Sequence, residues 1–380
     1  MKPAALGASA TVVLSLAVTA FAWFFLRVQS QGAIALLIAL AVAAFVLVAR
    51  AKPLRLDAAP ERLTGGLAIA GVATLALLLR EDDFSLLLVA RVLIVIVACL
   101  GLNVQFGYAG VVNFAGASFF GIGGYTAAVL SRSTGMPHLL TLLCGGAAAA
   151  LSGTVLLLPV LRTRGHYAAL VTIAFALLFR TFLEVNDTLG GPQGLKIPEL
   201  SIGPWHFNDP VAIGWFEGSF YLRYVLLALL LAVLFFALVQ RLERSFIGIA
   251  FDAVRLDETA ARSFGLDVAR WKIAAFTLGN FITGVAGALS AFLIGFIAPN
   301  SYSFAESLIL VSILLLGGIG NPWGLSLATA IVILLPEKLQ VIQEYRFLLF
   351  AAMVIVILLF RPAGLIPRPL RRLAGSGARP

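Results

Sequence analysis

The chain has 380 residues, a formal net charge of +9 and a mean hydropathy of +1.02; 61% of it is hydrophobic and only 12% is charged. A soluble domain carries about 45–50% apolar and about 25% charged residues, so an ordinary water-borne fold is excluded, and the positive charge reads as Lys and Arg gathered in loops on one side of a membrane rather than as a nucleic-acid footprint. Cys99 and Cys144 lie in apolar runs without a CxxC partner, and His138, His166 and His206 show no metal-ligand spacing, so neither a disulfide framework nor a metal centre is expected.

The apolar residues form runs of the length that a helix needs to cross about 30 Å of hydrocarbon at about 1.5 Å per residue. Backbone polar groups in lipid must be satisfied within the element, which makes such runs helices; the alternating segments of a membrane barrel are not visible. The expected fold is all-α, a polytopic integral membrane helical bundle of about 10–12 transmembrane helices. In chain order the candidate spans are 6–26, 33–49, 67–79, 84–106, 115–130, 139–161, 167–185, 220–239, 273–296, 307–316, 325–335 and 347–360. The first is read as a retained span, because its apolar run exceeds the core of a signal peptide and a second span follows at once.

Basic residues cluster in four places: Arg50, Lys52, Arg55 and Arg62; Arg162 and Arg164; Arg241, Arg244, Arg255, Arg262, Arg270 and Lys272; and Arg361, Arg368, Arg371, Arg372 and Arg379. The positive-inside rule places all four in the cytoplasm. Threading the spans between them alternates correctly, puts both termini inside and leaves residues 186–219 outside. That long connection is rich in Gly, Pro, Trp and acidic residues. It reads either as a structured loop with Trp205 and Trp215 at the interface or as a docking surface for a partner.

The most water-adapted stretch is "FDAVRLDETAARSFGLDVARWK", residues 251–272. Ile249, Ala253, Leu256, Ala260 and Phe264 recur at steps of three and four, which places them along one helix face, with Asp252, Arg255, Asp257, Glu258 and Arg262 elsewhere around it. Gly265 suits a left-handed stop, Asp267 an N-cap, and Arg270, Trp271 and Lys272 an interfacial anchor as the chain re-enters lipid. A passive surface helix is one reading; mixed charge around a small apolar stripe fits a protein groove better.

Gly-rich stretches at 101–124 and 317–324 interrupt apolar runs. Broken helices in transporters expose backbone dipoles to substrate, whereas small residues also allow helices to pack closely. Tyr108 and Asn113, with Gly107 and Gly110, are the pathway candidates of the first break. Arg91 lies within a span and has either a pathway or a structural pairing role; Arg180 either pairs with Glu184 or extends to the interface. No GxxxxGK[ST] loop and no acid/base or nucleophile constellation is present, so the chain reads as a non-enzyme with no catalytic residues.

"ETAARSFG", residues 258–265, resembles the EAA loop of ABC-importer permeases, with Ala260, Ala261 and Gly265 at matching places, Thr259 where the glutamate stands, and Glu258 one position earlier. In that family this helix couples the permease to a cleft of the cytoplasmic ATPase, which implies that role for Arg255, Asp257, Glu258, Ala260, Ala261 and Gly265. "GLNVQFGYAGVVNFAGASFFGIGGYTAAVL", residues 101–130, resembles the signature region of the LivM-type branched-chain amino acid permeases, and "GGIGNPWG", "LLPE" and "RPAGLI" continue the likeness over 93–366. Where those permeases commonly show Leu-Ser-Leu-Gly-His, this chain has Val112, Asn113, Phe114, Ala115 and Gly116.

The likeness divides the chain into N-terminal spans outside the match (1–80), a permease transmembrane domain (81–366) containing the coupling loop (241–272), and a basic cytoplasmic tail (367–380). It implies a multi-pass permease subunit of an ATP-driven importer in a bacterial inner membrane. The partners implied are a second related permease, two cytoplasmic ATPases and an external binding protein. ATP would be hydrolysed by those partners, with no cofactor on this chain. Branched-chain or other hydrophobic amino acids are the substrate class implied, with urea or short amides as the alternative. An ion-coupled secondary transporter is the reading from a different class; it would need intramembrane carboxylates, which the spans almost lack.

Overall fold

The computed structural model describes residues 8–28, 61–161, 167–202, 205–209, 211–213 and 216–338, with single positions or short pieces between 30 and 40 and between 345 and 368, among them 364–366 and Arg368. The predicted spans at 33–49 and 347–360 fall largely outside the described residues. The elements are α1 (Ala8–Arg27), α2 (Glu61–Leu78), α3 (Asp83–Asn103), which runs on into a π-helical turn (Val104–Tyr108), α4 (Gly116–Ser133), α5 (His138–Val160), α6 (Tyr167–Val185), α7 (Tyr221–Glu243), α8 (Phe246–Leu256), α9 (Glu258–Ser263), α10 (Val268–Ile294), α11 (Phe304–Gly317) and α12 (Pro322–Lys338). Asp83–Tyr108, His138–Val160, Tyr221–Glu243 and Val268–Ile294 are each long and apolar enough to cross a membrane alone. The fold class is all-α, that of a polytopic helical membrane protein.

Successive helices run between two faces. On one, the loop face, Ser219 N donates to the Arg80 carbonyl, His138 contacts Ser201, and the Lys338 ammonium at the end of α12 reaches the Leu26 carbonyl. The 186–219 connection is built there as short antiparallel ladders: Leu195–Lys196 pairs with Phe296–Ile297, Ser201–Ile202 with Trp205–His206, and Val211–Ile213 with Phe216–Gly218. Leu195, Ile197, Leu200 and Phe207 are buried beneath it, so it is a structured cap on the bundle. The other face carries Tyr108, Glu243, α8, α9 and the 318–321 turn, together with the basic residues of 241–272; it is called the basic face below.

At the centre α10 packs on α3, α4 and α5, and small residues let the backbones meet. A Cβ at Gly287 would lie 1.8 Å from the Phe120 carbonyl oxygen, and one at Gly123 would lie 2.0 Å from that of Gly284. Much of the glycine content of 101–124 therefore serves close helix approach.

The predicted single helix ending at Gly265 is two helices. Asp257 adopts an extended backbone (φ −157°, ψ 108°), and its side chain accepts from the N–H groups of Thr259 and Ala260, so it ends α8 and caps α9. The predicted stripe faces outward instead of into the fold: Ile249, Leu256 and Phe264 are exposed, while Phe251, Val254, Ala261 and Val268 are buried. Arg368, from the segment expected as a basic cytoplasmic tail, is packed into the basic face, and the rest of that segment lies outside the described residues.

Candidate functional site

The first break follows from backbone accounting. After the π-helical turn, Ala109 N returns to Val104 O (3.3 Å) and Val111 N to Gln105 O (2.9 Å), with Gly110 at φ +68° making the reversal. The chain then runs back irregularly until α4 begins. Side chains satisfy its free N–H groups: Ala115 N donates to Asn113 Oδ1 (2.9 Å), Phe114 N to Thr172 Oγ1 (3.1 Å) and Ala117 N to Ser307 Oγ (3.0 Å). Non-helical backbone between membrane helices persists only with such partners.

Asn113 also joins a buried amide network. Its Nδ2 donates to Gln105 Oε1 (2.8 Å) and to Asn280 Oδ1 (3.3 Å), while Gln105 Nε2 donates to Asn280 Oδ1 (2.9 Å) and to the Phe276 carbonyl (3.3 Å). All three amides are fully buried, so the break is closed in this conformation. Asn280 Nδ2, pressed against Gly153, and Asn103 Nδ2 have no hydrogen-bond partner among the described residues. Gln105 and Asn280 were not among the sequence candidates; the available signal was amides inside apolar runs, Asn103 and Gln105 in one and Asn280 alone in the other.

The second break abuts the first. Gly320 N donates to Asn103 Oδ1 (2.8 Å), and a Cβ on Gly107 would sit 2.7 Å from Gly320 N. Gly107 is thus the contact point of the two interruptions. Gly110 and Tyr108 face the loop between α7 and α10: a Cβ at Gly110 would lie 3.1 Å from Arg255 Cγ, and the buried Tyr108 donates its hydroxyl to Glu243 (3.4 Å). The two residue sets predicted separately, for pathway and for coupling, therefore touch through Gly110 and Arg255.

Within the segment between α7 and α10 the residues predicted for coupling divide. Arg255 lies 3.6 Å from Asp252 and turns toward the break, with Nε buried and without a partner among the described residues. Asp257 is the helix cap. Glu258 pairs with Lys272 (2.5 Å) and with Arg262 (3.7 Å), bracing α9 to the start of α10. Ala260 is exposed, whereas Ala261 is buried with Val254 and Val268 against Leu266 and Trp271 and so holds the loop together from inside. Gly265 has φ +82° with no atom near a Cβ position, and Asp267 accepts from Arg270 N (3.2 Å), as the sequence pattern anticipates.

Arg91 lies apart from this assembly. It is 3.7 Å from Glu337, tying α3 to α12, and is about 21 Å along the helix axis from Gln105. That is structural pairing. Arg180 pairs with Glu184 (2.8 Å) and also donates to Asn300 (3.2 Å). Cys99 is buried and Cys144 half-buried, both as free thiols. No group of metal-ligating side chains occurs among the described residues.

The profile of the family described as "Branched-chain amino acid transport system / permease component" matches residues 84–358. The chain is 36% identical to the high-affinity branched-chain amino acid transport system permease protein LivM of Escherichia coli (strain K12), over 76% of this chain and 71% of that one. It is 35% identical, with the same coverage, to the protein so named in Salmonella typhimurium. No solved structure matches the chain. The matched region spans both breaks and the whole segment between α7 and α10, and on that extent the chain belongs to the branched-chain amino acid transport permease family.

Proposed function

We propose that this chain is the membrane-spanning permease subunit of an ATP-driven importer for branched-chain or other hydrophobic amino acids. It pairs with a second related permease, receives substrate from an external binding protein, and is driven by two cytoplasmic ATPases that bind and hydrolyse ATP in its place. The basic face is cytoplasmic, by the positive-inside rule, and the 186–219 cap is external. The break at 104–115, closed by Gln105, Asn113 and Asn280, lies on the translocation route, and opening is an alternation between two packings of the broken helices.

The observation that carries this reading is the form of the segment between α7 and α10. Its inner side is locked, through Ala261 and Val254, and its Arg255 rests on the break. Its outer side is a short polar helix bracketed by Leu256 (70% exposed) and Phe264 (88% exposed). Two large apolar side chains held in water by a braced loop fit a protein cleft, and the amount of apolar surface that each would bury makes both anchors of an interface.

Leu256→Asp and Phe264→Asp, each expressed with the ATPases, are expected to lose co-purification of the ATPases and substrate uptake while inserting normally, since neither residue lies in a span. Full association and uptake in both variants would refute the docking role.

A further inference from the structure

Arg368 lies outside the groups that the coupling reading uses. Its side chain is only 10% exposed, and the guanidinium makes three hydrogen bonds to carboxylates. Nη1 donates to Asp252 Oδ1 (2.7 Å), Nη2 to Asp252 Oδ2 (3.0 Å) and Nε to Glu243 Oε1 (3.1 Å). The charged carbon stands 4.6 Å from the centre of the Tyr108 ring. A bidentate fork on one carboxylate, a third bond to a second carboxylate and a stacked aromatic face are a geometry that arginine supplies and lysine does not.

The backbone beneath it is tied down as well. Leu365 N donates to Leu316 O (2.8 Å) and Ile366 N to Gly317 O (3.2 Å), so residues 364–366 lie along the end of α11. Gly320, at φ +89°, leaves room for the Arg368 stem: a Cβ there would be 2.7 Å from Arg368 Cδ. Three parts of the basic face meet on one side chain. They are the first break at Tyr108, the tip of the second at Gly320, and the end of α7 with α8 at Glu243 and Asp252. The local charges balance, with Arg368 and Arg255 against Glu243 and Asp252.

We propose that Arg368 is a positioning residue that clamps α8 onto the two helix breaks, so that a displacement of the coupling segment is imposed on the pathway instead of being absorbed by a loose loop. Arg255 alone cannot do this, because it reaches Asp252 from the same helix and has no bond to the breaks among the described residues. The clamp deepens the proposed coupling of this chain to ATPases and rests on it for its role in transport, but its structural part is testable without any ATPase.

The experiment uses the purified chain and its complex. Hydrogen exchange of the chain alone should show the amides of 246–256 exchanging about tenfold faster or more in Arg368→Gln, with α10 unchanged, because one stranded carboxylate pair no longer holds α8. Arg368→Lys, which keeps the charge but loses the fork and the stack, should fall between. Adding Asp252→Asn to Arg368→Gln should not restore the protection, because both variants lack the fork that ties α8 to the breaks. In the complex, substrate moved per ATP should drop several-fold in Arg368→Gln while ATP hydrolysis persists, and recover partly in Arg368→Lys. Unchanged exchange in 246–256, or an unchanged transport-to-hydrolysis ratio alongside faster exchange, would overturn the proposal. If the wild-type complex itself moves no substrate on ATP, the importer reading fails, and the exchange result still decides the clamp.

Discussion

Asn113→Ala tests the closed break most directly. The alanine removes an amide that is fully buried and takes part in three hydrogen bonds, donating to Gln105 and Asn280 and accepting from Ala115 N. Side-chain bonds between membrane helices average about 0.6 kcal/mol each, with a maximum of about 1.7. The stranded N–H of Ala115 costs about 1–3 kcal/mol more, because no water is available to replace its acceptor. Together these come to about 2–4 kcal/mol, enough to loosen the break without abolishing a bundle whose centre is packed elsewhere. The assay follows labelling of the buried Cys99 by a maleimide during heating of the detergent-solubilised chain, with Cys144→Ser as background. Asn113→Ala should expose Cys99 several degrees earlier and should reduce uptake. Asn280→Ala should behave alike, and the double variant should lose less than the two single losses together, since the residues share bonds. Wild-type melting and uptake in Asn113→Ala, or full additivity in the double variant, would refute the network argument.

Gly287→Ala places a methyl 1.8 Å from the Phe120 carbonyl oxygen, a backbone atom that cannot give way, so the yield of monodisperse protein should fall sharply; Gly295→Ala, whose Cβ position is open but whose φ is +72°, should cost only about 1–2 kcal/mol of strain. A membrane-impermeant thiol reagent applied to intact cells should label Asp209→Cys, exposed on the loop cap, and spare Ser263→Cys, exposed on the basic face; the reverse pattern would invert the topology and remove the coupling segment from the cytoplasm.

What could be read from the sequence alone was whatever depends on neighbours along the chain. Apolar runs of spanning length, basic loops at alternate connections, the left-handed stop at Gly265 and the cap at Asp267 are all local, because hydropathy, helix propensity and capping act over a few residues. The breaks at 101–124 and 317–324 were visible for the same reason, as was the family likeness carried by contiguous motifs. Tertiary structure decided what those pieces meet. Gln105 and Asn280 are 175 positions apart, and Arg368 and Asp252 are 116 apart. Nothing in either neighbourhood announces the other. Their meeting depends on how far each helix is rotated and how closely backbones approach, which is set at contacts such as Gly287 against Phe120. The same cause explains the outward turn of Leu256 and Phe264: periodicity identified one side of a helix, but Asp257 broke that helix, and packing of Val254 and Ala261 chose which side to bury.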